Sequence, residues 1–119
     1  MRHLLDHLVA HRLGTFVVLL LAAALEAYGD SSFQTALYRS SGMYRAIAFL
    51  AGAASLVAYG FVVNTPRWDF GKLLGVYVVF FFLVAQIIAR IRFGQMPTWP
   101  VLLGGGLIVA GGMIISFCS

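Results

Sequence analysis

The chain has 119 residues, 61% of them hydrophobic and only 10% charged, with a formal net charge of +4. A soluble domain carries about 25% charged residues, so this deficit, with a mean hydropathy of +0.94, excludes an ordinary water-soluble globule and places most of the chain in lipid. The eight Lys and Arg residues lie in the N-terminal tail or near the ends of apolar stretches, which is the pattern of membrane flanks and excludes a nucleic-acid patch.

Residues 1–12, MRHLLDHLVAHR, alternate polar and apolar residues in helical rhythm. They are expected to form an interfacial segment, with Leu4, Leu5, Leu8 and Val9 in the headgroup region. His3, His7 and His11 recur one turn apart beside Asp6. Imidazoles so spaced can share a cation, so metal binding is the alternative to a plain polar face.

The first apolar stretch, residues 13–38, is LGTFVVLLLAAALEAYGDSSFQTALY. At about 1.5 Å per residue it crosses a hydrocarbon layer of about 30 Å with some tilt. Glu26 sits halfway along it, near the bilayer midplane, where an ionisable group costs a few kcal/mol or more and is rarely left facing lipid. At 100° per residue, Ala22, Ala23, Glu26, Gly29, Asp30, Phe33 and Gln34 share one face, while Val18, Leu20, Leu21, Leu25 and Tyr28 lie mostly elsewhere. Glu26 and Asp30 are one turn apart and point the same way, and the small residues around them admit a helix or a ligand. The alternative ends the helix near Tyr28 and starts a wet loop at Asp30. The basic start and the run LAAALEA also resemble a secretory signal cleaved near Ala27, but three further apolar spans follow and a retained helix is expected.

A turn, YRSSGMYR (38–45), leads to the second span, residues 46–63. There Ala48 with Gly52, Ala51 with Ser55 and Ala54 with Ala58 pair small residues four apart, a sign of close helix packing. Pro66 and Trp68 mark the second loop, and the third span covers residues 70–89. In it Gly71 and Gly75 form a GxxxG pair, Phe80, Phe81 and Phe82 point three ways, and Gln86 is the only amide. Tyr77 either donates a hydrogen bond to Glu26 or lies at an interface. The third loop, RIRFGQMPTWP, precedes a fourth span at 99–117 without ionisable groups. Its glycines, Gly104 with Gly111, Gly105 with Gly112, and Gly106 near Ala110, form a bare groove and an expected assembly surface. The single Cys118 excludes an internal disulfide and a cysteine-based metal cluster.

The fold class expected is therefore an all-α membrane protein, with one four-helix transmembrane domain over 13–119 behind the segment 1–12. Four spans put Arg2, Arg12, Arg67 and Lys72 on one side and Arg39, Arg45, Arg90 and Arg92 on the other. Orientation normally follows an excess of positive charge in cytoplasmic loops, and here the two sides balance. That suits a protein that inserts both ways and pairs antiparallel, although so few charges can balance by chance. Four short helices enclose too little space for a substrate path, whereas a homodimer brings two copies of Glu26 into one cavity. Two facing carboxylates in low dielectric cannot both stay ionised cheaply. Such a pair can hold protons or an organic cation but not comfortably both, which is the chemistry of exchange.

With these residues in place, the chain from Leu13 onward resembles the small multidrug resistance family of the drug/metabolite transporter superfamily. LLLAAALEA is similar to that family's first helix, whose embedded glutamate is the shared proton and substrate site, a role the resemblance gives to Glu26. FGQMPTWPVLLGGGLIVAGGMIISF resembles its F-G-Q turn, proline and dimerising G-L-I-x-x-G helix, carried by Gly94, Gln95, Leu107, Ile108 and Gly111. Gly75-Val76-Tyr77-Val78 resembles a less characterised branch with G-V-Y-V in helix three. The drug-exporting members carry a Tyr and a Trp where Phe70 and Leu73 stand here, and Asp30 is an additional acid. The resemblance implies an antiparallel homodimer with alternating access in the inner cell membrane.

The function expected is a proton-coupled exporter of small cationic or amphipathic compounds, with Glu26, Asp30 and Tyr77 as the substrate and proton site. Gly104, Gly105, Gly106, Gly111 and Gly112 are the expected dimer interface, and the partners are lipid, a second copy, a small cationic substrate and protons. The alternatives are a structural or regulatory subunit docking on a larger partner, or a flippase for a lipid-linked group. Enzymatic chemistry is not expected. No nucleophile has a base at useful spacing, no phosphate-cradling GxxxxGK and no metal quartet occur, and the glycines at 104–106 follow no strand. No cofactor is expected.

Overall fold

A computed structural model describes the backbone of residues 2–118 and the side chains of residues 12–118. It is all-helical, with α1 (Arg2–Tyr38), α2 (Gly42–Val63), α3 (Phe70–Phe93) and α4 (Trp99–Cys118) joined by short connections. All four are long and apolar enough to cross a membrane, over Arg12–Tyr38, Gly42–Val63, Phe70–Phe93 and Trp99–Cys118. Leu20, Leu50, Phe61, Ile87 and Leu107 are among many large apolar side chains left exposed. A water-soluble chain would bury them, so these are the features of a multi-pass membrane protein.

Three boundaries differ from the sequence reading. Helix α1 is continuous from Arg2 and has no break between an interfacial segment and the span. It also continues past Asp30 to Tyr38, which removes the wet-loop alternative for that acid. Helix α2 starts at Gly42, four residues early, and α3 runs to Phe93, four residues past Ala89. The histidine stripe at His3, His7 and His11 lies outside the described side chains.

Local chemistry sets the ends. The Ser40 hydroxyl donates to the carbonyls of Thr35 (2.9 Å) and Ala36 (3.2 Å) in the last turn of α1, where Thr35 also accepts the Arg39 N–H at 2.9 Å. Asn64 and Thr65 do the same for α2, donating to Gly60 (2.8 Å) and Phe61 (3.1 Å) ahead of Pro66. Helix α3 stops at Gly94, whose φ of 66° is left-handed and disfavours any side chain. The F-G-Q turn is thus a helix terminator, with Gln95 N–H closing on the Ala89 carbonyl at 3.0 Å.

Helix α1 is the hub, packing against α2 and against α3, while α4 packs against α3. The α1–α2 crossing depends on Gly29 and Gly52. A Cβ on Gly29 would meet Leu56 at 2.8 Å and the Gly52 carbonyl at 3.1 Å, and one on Gly52 would meet Phe33 at 2.8 Å. Small residues let the two backbones touch where lipid offers no hydrophobic drive for helix association. Phe33 sets its edge on Phe49 with centroids 5.6 Å apart. The core proper is Leu19, Ala22, Ala23, Val63, Leu73, Val76 and Tyr77, with Phe16 and Tyr59 against it.

The α3–α4 seam interlocks in both directions. Gly105 faces Phe82, Gly112 faces Val79, and Gly75 receives Ile115, each so closely that an added Cβ would collide with that side chain. Of the five glycines expected at an assembly surface, Gly105 and Gly112 are buried inside the protomer. Gly104, Gly106 and Gly111 have open space where a Cβ would stand. The expected Gly71–Gly75 pair is split as well, because only Gly75 is in contact.

Candidate functional site

Glu26 projects from the middle of α1 toward α3, half-buried. Its Oε1 accepts a hydrogen bond of 2.7 Å from the hydroxyl of Tyr77 on α3. Of the two placements open to Tyr77, it therefore takes the one against the carboxylate, and at 4% exposure it is no interfacial tyrosine. Tyr77 stays there because its ring is held between Tyr59 of α2 (centroids 5.6 Å) and Phe81 of α3 (6.2 Å). Three helices thus contribute to one spot: α1 the acid, α3 the donor, and α2 an aromatic wall.

Leu73, one turn before Tyr77, is buried in the core, and Phe70 is largely exposed. The aromatic surface near the acid comes instead from Tyr59, Tyr77 and Phe81. The three phenylalanines separate as their spacing requires: Phe80 packs on Phe16 (5.7 Å), Phe82 covers Gly105, and Phe81 alone turns toward the acid's side.

Beside this pair an open groove of about 260 Å³ runs between α1 and α3. Ala27, Asp30, Ser31 and Gln34 form its α1 wall, Phe81, Ala85 and Ile88 lie on the α3 wall, and Gln95 comes from the loop. Asp30 is exposed to it, as expected for an acid one turn beyond Glu26. The groove has one polar and one apolar wall, and such a surface suits an amphipathic molecule.

No known protein family, curated protein or solved structure matches this chain.

A second cavity of about 420 Å³ adjoins the first and shares Ser31 and Ile88 with it; Tyr28, Ile91 and Arg92 complete its lining. By sequence alone Arg92 reads as a flanking charge. It folds back along α1, where Nη1 donates to the hydroxyls of Ser31 (2.8 Å) and Ser32 (3.1 Å) and the guanidinium lies 5.2 Å from the Tyr28 ring centre. Ser31 in turn donates to the Tyr28 carbonyl at 2.9 Å. The serine pair after Asp30 was the available signal, since adjacent hydroxyls in an apolar span need partners. The other end charges behave as flanks: Arg12 sits over Phe117, Arg39 over Phe93 and Lys72 over Trp68, at 4.5–5.0 Å. Among the described residues, no three His, Cys, Asp or Glu side chains come together to hold a metal.

Proposed function

We propose that this chain is a proton-coupled exporter of small cationic or amphipathic compounds, of the kind its motifs resemble in the small multidrug resistance family. The observation that carries the reading is the Glu26–Tyr77 pair at 2.7 Å, set beside an open groove within an apolar helix layer. An embedded carboxylate is neutralised by a proton or by an organic cation, and one occupant displaces the other. The Tyr77 hydroxyl orients Glu26 between occupants, and the ring faces of Tyr59, Tyr77 and Phe81 offer cation–π contact to a quaternary ammonium group.

The working unit on this reading is an antiparallel homodimer in the inner membrane. Helix α4 supports this, because it packs against α3 and leaves Gly104 and Gly111 bare on a second stripe. Those two are seven residues apart, so they align on one face. A partner helix from another protein would also fit that stripe, which keeps a regulatory-subunit reading in play. Cysteines placed together at Gly104 and Gly111 separate the two, since antiparallel copies set residue 104 of one against residue 111 of the other and crosslink only in a homodimer.

The deciding experiment is uptake of a radiolabelled quaternary ammonium cation into proteoliposomes, driven by an imposed pH gradient. Uptake in the wild type and its loss in Glu26→Gln, with dimer formation retained, is expected. Wild-type uptake in Glu26→Gln would refute the proposal.

A further inference from the structure

Two opposite charges face the same groove system and do not neutralise each other. Asp30 lines the first cavity and Arg92 the second, and the cavities meet at Ser31 and Ile88. Arg92 is drawn back onto the hydroxyls of Ser31 and Ser32, and among the described residues no carboxylate holds it there. A guanidinium carries five N–H donors. The serines use the two on Nη1, so the three on Nε and Nη2 have no protein acceptor among the described residues. A guanidinium in an apolar setting binds phosphate or carboxylate strongly through paired donors.

The geometry points to a zwitterionic substrate, with an ammonium group held at Glu26 and Asp30 and a phosphate held by Arg92. The placement suits it: Asp30 lines the first cavity, Arg92 the second, and Ser31 both, so the two charges stand beside one opening wide enough for a phosphocholine or phosphoethanolamine group. The apolar lining by Ile88 and Ile91 accepts a tail beside the phosphate. This inference rests on the proposed exchange at Glu26 and adds to it what the substrate must carry.

The test uses the full chain in phosphatidylglycerol nanodiscs, whose lipid has no ammonium group, and titrates two matched probes. Hexyltrimethylammonium carries the cation alone, and hexylphosphocholine carries cation and phosphate. The wild type is expected to bind the zwitterion about tenfold or more tightly than the cation, from charge-assisted hydrogen bonds to Arg92. Arg92→Gln is expected to abolish that preference without changing affinity for hexyltrimethylammonium, and Arg92→Lys to restore part of it. Competition by lysophosphatidylcholine stronger than that by glycerophosphocholine identifies a lipid source, and the reverse order a soluble one; both support the zwitterion. Equal wild-type affinity for the two probes, or equal weakening of both by Arg92→Gln, overturns the inference. Proton release by hexyltrimethylammonium, absent in Glu26→Gln, shows in the same samples whether exchange at Glu26 stands regardless. Failure of both probes to bind sinks both readings.

Discussion

Replacing Tyr77 by Phe removes one oxygen from the centre of the site and leaves the rest of the packing in place. The ring keeps its neighbours, Tyr59 at 5.6 Å and Phe81 at 6.2 Å, and the position is almost fully buried. What is lost is the 2.7 Å hydrogen bond to Glu26. A hydrogen bond to a charged group contributes about 1.5–3 kcal/mol, and one between neutral groups about 0.5–1.5 kcal/mol. The cost of Tyr77→Phe is therefore larger where Glu26 is ionised than where it is protonated. In a Glu26→Gln background the same change should cost only the neutral value, at every pH. Unfolding titrations in mixed micelles, followed by circular dichroism at about pH 3 and about pH 9, on either side of the ordinary glutamate range, give the four stabilities of a double-mutant cycle at each pH. A cost that ignores both pH and the residue at position 26 would refute the coupling of donor and acid.

Other consequences follow from the packing. Gly105→Ala and Gly112→Ala should each destabilise the protomer by about 1–3 kcal/mol, because a methyl group collides with Phe82 or Val79. Gly104→Ala and Gly111→Ala should stay within about 0.5 kcal/mol in that assay yet weaken self-crosslinking through α4. Gly94→Ala should cost about 1–2 kcal/mol, read in the same titration, because φ is 66° there. On the antiparallel proposal, reporter tags on both termini should each be found on both faces of the membrane, in keeping with the balanced charges; a single orientation would exclude the antiparallel dimer.

The four spans were legible because hydropathy and length leave few choices for long apolar runs. Their ends were not, because they depend on hydrogen bonds such as those of Ser40 to Thr35 and Ala36. Glu26 stood out through the cost of its charge, and its face on α1 followed from helical spacing. The partner did not follow, since Tyr77 had two sensible homes and tertiary packing chose between them. The glycines of α4 show the limit most clearly. Gly104 with Gly111 and Gly105 with Gly112 have the same spacing, and their roles diverge only because Phe82 and Val79 of α3 meet the second pair. Arg92 was hidden for a different reason: an arginine in the last turn of a membrane helix reads as a flank. That its side chain returns to Ser31 and Ser32 is a long-range fact that no local pattern encodes.

The central claim is that one carboxylate is shared by a proton and a cationic ligand. It is tested most directly by following the pH of a weakly buffered solution of the purified protein as hexyltrimethylammonium is added. Proton release that saturates with ligand binding, and vanishes in Glu26→Gln, is the predicted result. Binding without release, or release that persists in Glu26→Gln, would contradict it.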